Sequence, residues 1–269
     1  MTTSSPDRLP IIVVENLTAG YGDLIILENI SFEVYQGEIL VILGGSGCGK
    51  STLMKNLIGL YKPLAGRVLI TGVDVHTQDD RELHRLRRHL GVAFQSGALF
   101  GSMTVAENIA LPLREYTHLD QESIMQLVRM KLALVGLAGY DHHLPQELSG
   151  GMQKRVGLAR ALALDPEVVF FDEPAAGLDP VTGAELDLLI KEINAGLGTT
   201  MVVITHELAS IFTIAHRVLM LDKSEKGIIA QGDPRVLQTQ ATDPRVWNFF
   251  NRQPSAKQNP GDRYGHQNL

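Results

Sequence analysis

The chain has 269 residues, 44% of them hydrophobic, enough for one large α/β domain with a smaller inserted lobe and a sizeable core. Twenty-four basic against thirty acidic residues give a net charge of −6, with no long block of Lys or Arg, which argues against broad electrostatic binding to DNA or RNA. A single cysteine excludes an internal disulfide, and the apolar runs are strand-sized, far below the ~18 residues that suggest a membrane span.

Residues 1–10 are polar, and the run from Ile11 to Val14 is too short for a signal-peptide core, so the chain is expected to stay in the cytoplasm. Residues 11–45 read as short strands. Ile12, Val14 and Leu17 lead to a turn at Ala19-Gly20-Tyr21-Gly22-Asp23; then come 24–27, 31–35 and a turn at Gln36-Gly37-Glu38. Tyr21, an aromatic in a Gly-flanked turn, is a candidate for stacking on adenine, because a purine offers a flat face to such a ring. The plainer alternative is an ordinary exposed-turn tyrosine.

The apolar run Ile39-Leu40-Val41-Ile42-Leu43 then meets Gly44-Gly45-Ser46-Gly47-Cys48-Gly49-Lys50-Ser51-Thr52, after which apolar residues recur at helical spacing through Leu60. Strand, Gly loop and helix form the context of a phosphate-binding loop. Its glycines let successive N–H groups converge on an anion at the positive end of the helix. Lys50 is placed to reach the outer phosphates of ATP, and the Ser51 hydroxyl to coordinate Mg²⁺. Cys48 stands inside this loop, so ATP is expected to protect against loss of activity on thiol alkylation.

Residues 66–72 read as another strand, and 81–89, with Leu83, Leu86 and Leu90 on one face, as a surface helix. Gly91-Val92-Ala93-Phe94-Gln95 is a strand ending in a polar residue, whose amide oxygen can join a Mg²⁺ shell. From about 103 to 144 the pattern is helical; Ile124, Leu127, Val128, Leu132 and Val135 share one face of a helix capped by Asp120 and stopped at Gly136. This block separates core strands and reads as an inserted lobe. Leu148-Ser149-Gly150-Gly151-Met152 before a helix is a second anion-binding device. One ATP rarely needs two such loops from one chain, so a dimer, with each loop covering the partner's γ-phosphate, is the economical explanation.

The strand Val168-Val169-Phe170-Phe171 carries two carboxylates, Asp172 and Glu173, to the edge of a buried sheet. Hydrolysis of ATP needs a carboxylate for Mg²⁺ and a group to orient the attacking water, roles that suit Asp172 and Glu173 in turn. Strands at 201–205 and 218–222 follow, the first ending at His206, a candidate donor to the γ-phosphate. Strands separated by helices imply a largely parallel sheet, whose carboxyl edge would gather Gly44, Gln95, Asp172 and His206. Asp243-Pro244 opens a short helix with Val246, Trp247, Phe249 and Phe250. Trp247 and Phe250 are expected to dock on a neighbouring chain, with Tyr264 as a further anchor; the alternative for 251–269 is a mobile polar end.

The order of phosphate loop, Gln95, Leu-Ser-Gly-Gly, Asp172-Glu173, Ala176-Gly177-Leu178-Asp179 and His206 resembles the ATPase subunits of ABC transporters over nearly the whole chain to about Leu237. Phe94-Gln95-Ser96-Gly97-Ala98-Leu99-Phe100, Pro112-Leu113-Arg114-Glu115 and Ser149-Gly150-Gly151-Met152 are similar to the ATPases of Mla phospholipid transport systems of Gram-negative bacteria. Met152 stands where many members have Gln, and Ala176-Gly177 where Ser-Ala is frequent. The resemblance implies an α/β fold with a RecA-like phosphate-loop core (1–95 and 156–237), an N-terminal antiparallel β portion, an inserted α-helical lobe with the signature loop (96–155) and a C-terminal extension (238–269). It further implies a head-to-tail dimer with two ATP at its interface. Each ATP would be bound by Tyr21, residues 44–52 and Gln95 of one chain and, in trans, by Ser149, Gly150, Gly151 and Asp179 of the other, with Mg²⁺ at Ser51, Gln95 and Asp172. Glu173 and His206 would be catalytic. The implied partners are a permease at the inner membrane, a periplasmic MCE-domain lipid-binding subunit and a small STAS-domain protein, with no nucleic acid.

Overall fold

The computed structural model describes residues 9–253; Tyr264 lies outside them. Strands β1 (Pro10–Tyr21) and β2 (Leu24–Tyr35) pair antiparallel about a turn in which Gly22 takes φ +57. Where the sequence suggests two short strands at 24–27 and 31–35, β2 runs unbroken. Then come β3 (Ile39–Gly44), α1 (Lys50–Leu57), β4 (Ala65–Ile70), β5 (Val73–Asp74), α2 (Asp80–Arg88) and β6 (Leu90–Ala93). Three helices follow, α3 (Val105–Tyr116), α4 (Gln121–Leu134) and α5 (Gly150–Ala161). The chain continues through β7 (Val168–Asp172), α6 (Pro180–Leu197), β8 (Thr200–Ile204), α7 (Leu208–Ile214), β9 (Arg217–Asp222), β10 (Gly227–Gly232), α8 (Pro234–Gln240) and α9 (Pro244–Phe250).

Two sheets result, an antiparallel one in the order β2-β1-β4-β5 and a larger one in the order β10-β9-β3-β8-β7-β6. The larger sheet is parallel apart from β10. Its central strands are apolar on both faces, as a sheet covered on both sides requires. In β3, Ile39, Val41 and Leu43 join the cluster under the helices, while Leu40 and Ile42 join the cluster shared with β1, β2, β4 and α1. The phosphate loop leaves β3 between these two cores.

The apolar face expected in the helical block is the one that is buried. Ile124, Val128, Leu132 and Val135 lie in the same cluster as β3, β7 and α6, so the lobe shares a core with the sheet. Helix α4 starts where Asp120 accepts the Ser123 N–H, and Gly136 takes φ +72 just past its end. Helix α5 leads from the Ser149 loop to the cluster beneath β6 and β7 and runs through the expected boundary at 155.

The C-terminal helix corrects one expectation. Asp243 caps α9 as expected, accepting the Arg245 N–H, but Phe250 is 2% exposed and packs on Phe212 and Phe249 of its own chain. It belongs to the main core and is not free to dock elsewhere; the alternation of a short helix on a polar tail does not reveal which face turns inward. Trp247, 42% exposed, remains outward. Arg245 ties the helix to the β9–β10 turn through Asp222 and Glu225, and its hydrogen bond to Asp243 holds the guanidinium pKa above its ordinary value.

Candidate nucleotide-binding and hydrolysis site

The sheet order β3-β8-β7-β6 sets five of the expected residues along one carboxyl edge: Gly44 at the end of β3, His206 after β8, Asp172 at the end of β7 with Glu173 just past it, and Gln95 after β6. In the loop, Gly44 and Gly49 take φ +149 and +104. A Cβ at Gly44 would sit 2.4 Å from the Leu221 carbonyl oxygen, and one at Gly49 2.8 Å from Leu27 Cδ2. The loop can therefore lie against β9 and β2 only with glycine at these points. No side chain caps α1 and no acid occupies its first turn, so its leading N–H groups and dipole are left facing Gly45, Ser46 and Gly47, all exposed. Lys50 folds back over the loop, its Nζ donating to the carbonyls of Gly44 (2.8 Å) and Gly45 (3.2 Å). Ser51 is exposed and Thr52 buried.

Cys48 departs from expectation. Its thiol is 2% exposed, packs in the core shared with β1 and β2, and is pushed up in pKa chiefly by burial. An alkylating reagent reaches this sulfur poorly whether or not nucleotide is bound, because it lies buried behind the loop.

Tyr21 is 44% exposed, and its hydroxyl lies 3.4 Å from Thr52 Oγ1. Its ring meets Tyr61 edge-on at 5.7 Å, and Lys55 Nζ lies over the Tyr61 ring at 5.2 Å. Two aromatic rings therefore stand beside the helix that carries the loop. Nothing in the sequence pairs Tyr61 with Tyr21, since 40 residues of chain and two strands separate them.

Asp172 is half-buried. Burial raises its carboxyl pKa first and the neighbouring Glu173 charge adds to the rise, while Lys55 and Lys50 oppose it. Glu173 takes φ +49, a left-handed conformation that costs a non-glycine residue about 1–2 kcal/mol. Three contacts hold it there. Its N–H donates to the Ile204 carbonyl (2.8 Å), its Oε1 lies 2.8 Å from His206 Nδ1, and Lys154 Nζ donates to the carbonyls of Glu173 (3.4 Å) and Pro174 (2.7 Å). Glu173 Oε2 is buried with no hydrogen-bond partner, an acceptor left for a proton-bearing ligand such as water. The sequence does not mark Lys154, because a lysine on a helix announces no partner 20 residues away.

Ser149 caps α5 by accepting the Met152 N–H at 3.3 Å, and Asp179 caps α6 by accepting the Val181 and Thr182 N–H groups, each at 3.1 Å. Ser149, Gly150 and Asp179 are exposed, and a Cβ on Gly151 would meet Thr182 Cγ2 at 2.6 Å. The two loops are thus packed together, braced by Arg155 donating to Glu185 at 3.2 Å. Among the described residues no hydrogen bond joins either of them to the Gly44-to-Thr52 loop.

Residues 27–176 match the family model of the ABC transporter. The chain belongs to the ABC transporter family. It is 43% identical over 91% of its length to a probable ribonucleotide transport ATP-binding protein of Mycobacterium leprae, covering 70% of that protein. It is 41% identical over 89% of its length to the intermembrane phospholipid transport system ATP-binding protein MlaF of Haemophilus influenzae, covering 90% of that protein. A dimeric ATP-binding cassette solved in a post-hydrolysis state with ADP and Pi superposes with a TM-score of 0.74 at 32% identity, covering 82% of this chain and 98% of that one. Membership makes the chain an ATPase, the ATP-binding subunit of a transporter, on the RecA-like cassette fold.

Proposed function

We propose that this ABC ATPase is the motor of a phospholipid transporter, working as a head-to-tail dimer on a separate permease at the cytoplasmic face of the inner membrane. The observation that carries the dimer is the packing of the Ser149-Gly150-Gly151 loop beside the Asp179 loop on the chain's surface: a helix start of the kind that suits an anion, to which, among the described residues, the Gly44-to-Thr52 loop is not hydrogen-bonded. Across a dimer it would cover the γ-phosphate held by the partner's Lys50 loop.

In each site Tyr21 would stack on the base, residues 44–52 would cradle the phosphates, and Ser51, Asp172 and Gln95 would supply the oxygen ligands that suit Mg²⁺. Bound Mg²⁺ would neutralise charge on the phosphates. Glu173 would orient and deprotonate the attacking water through Oε2, and His206, held by Oε1, would donate to the γ-phosphate. The phospholipid cargo is supported by the relative from Haemophilus influenzae and by the Phe94-to-Phe100 and Ser149-to-Met152 motifs. An ABC motor for a different cargo is the second reading, supported by the ribonucleotide-transport name of the mycobacterial relative.

The experiment is affinity purification of the full chain from detergent-solubilised membranes of its host, with mass spectrometry of what stays bound. A permease with an MCE-domain protein and a STAS-domain protein is the expected result. A permease with a solute-binding protein would overturn the cargo, and ribosomal or DNA-bound partners without a permease would overturn the transporter motor.

A further inference from the structure

Helix α5 carries two features five residues apart. At its start Ser149, Gly150 and Gly151 form the exposed loop assigned above to the partner's ATP; about 7.5 Å along the axis, Lys154 grips the turn that aims Glu173 at this chain's own ATP. The grip falls on the point of strain. Glu173 is left-handed at φ +49, and Lys154 is the side chain that donates to its carbonyl and to that of Pro174, at 3.4 and 2.7 Å.

The Lys154 ammonium is partly buried in a narrow cleft lined by Phe94, Gly97, Phe171, Pro174 and Ile190. A charged group in such a place needs acceptors, and in this cleft it takes them from the backbone of the turn. Nor can the helix slide freely past the loop after Gln95: a Cβ on Gly157 would come within 3.2 Å of Gly97 Cα, and Arg160 donates to the carbonyls of Gly97 and Ala98, each at 2.8 Å. Displacement of the start of α5 would therefore bear on both neighbours at once, on the Gly97-Ala98 loop through Arg160 and on the Glu173 turn through Lys154.

We propose that Lys154 is a positioning residue that couples the two ATP sites of the dimer, registering engagement of the Ser149 loop on one nucleotide as alignment of Glu173 on the other. This rests on the dimer proposed above. The consequence is positive cooperativity in ATP hydrolysis, with one α5 helix serving as the link in each direction across the two-fold axis.

The test measures ATP hydrolysis against ATP concentration for the full chain in the complex recovered by affinity purification, comparing the natural protein with Lys154→Met and Lys154→Arg. Methionine keeps the stem and removes the donor. The expected result for Lys154→Met is a fall in kcat of about tenfold or more, the scale of one lost charge-assisted hydrogen bond, with a Hill coefficient reduced towards one. ATP affinity and thermal midpoint should stay unchanged, and arginine should restore both kcat and cooperativity. Wild-type kcat and Hill coefficient in Lys154→Met would overturn the proposal. So would a loss of activity matched by a lower thermal midpoint and not rescued by arginine, which is what a merely structural lysine would give. The dimer itself is checked separately, by sizing Glu173→Gln with and without ATP; a monomer under both conditions would overturn the dimer reading, and the coupling with it.

Discussion

At the scale of single residues, the end of β7 combines a half-buried Asp172, a strained Glu173 and an orphaned carboxylate oxygen. Glu173→Gln keeps the shape of the side chain and removes its ability to accept a proton, so turnover should fall by about 10²–10⁴, the usual range for a general base, while ATP stays bound. Steady-state hydrolysis and equilibrium nucleotide binding on the same preparation check this; wild-type turnover would remove Glu173 from the chemistry. Cys48 gives a second residue-scale outcome. With its thiol 2% exposed behind the loop, alkylation of the folded protein should be slow with or without ATP and should accelerate only in denaturant. Rapid labelling of the native chain that ATP suppresses would mean that the loop opens.

Among the elements, α3 does more than fill the lobe. Asn108, fully buried, accepts the Phe100 N–H and donates to the carbonyls of Phe100, Met103 and Thr104, so the helix fixes the segment that follows Gln95. The start of α3 is set by a capping box: Thr104 Oγ1 accepts the Glu107 N–H and Glu107 accepts the Thr104 N–H. Thr104→Ala should lower stability by about 1 kcal/mol, read as a lower urea midpoint at an unchanged slope. An unchanged midpoint would show that the lobe's packing on the sheet, rather than the cap, sets the entry to the helix.

In the whole molecule, the C-terminal extension is part of the cassette as far as Phe250. Removing everything after Gln240 strips Val246 and Phe250 from the main core, so weakened assembly in such a truncation would not by itself report a docking surface. Two single substitutions separate the effects. Phe250→Ala should cost about 3–5 kcal/mol, as buried Phe-to-Ala changes do, and depress the thermal midpoint. Trp247→Ala should leave the unfolding free energy within about 0.5 kcal/mol of wild type, as surface changes do, while weakening recovery of the complex. Full recovery with Trp247→Ala would remove that docking role.

The motifs were legible in the sequence because each is a local device. A glycine loop between strand and helix, two carboxylates ending an apolar run, a Ser-Gly-Gly start to a helix and the caps at Asp120 and Asp243 all act within a few residues of their own position. Their convergence on one edge followed from the alternation of strands and helices. Tertiary structure alone decided the rest. The antiparallel edge strand β10, the short β5, the inward turn of Phe250, the burial of Cys48 and the meeting of Tyr21 with Tyr61 depend on partners far along the chain. The same holds for Lys154, whose role exists only because α5 crosses beside the end of β7: periodicity reports that a side chain points off a helix, and only packing determines what it reaches.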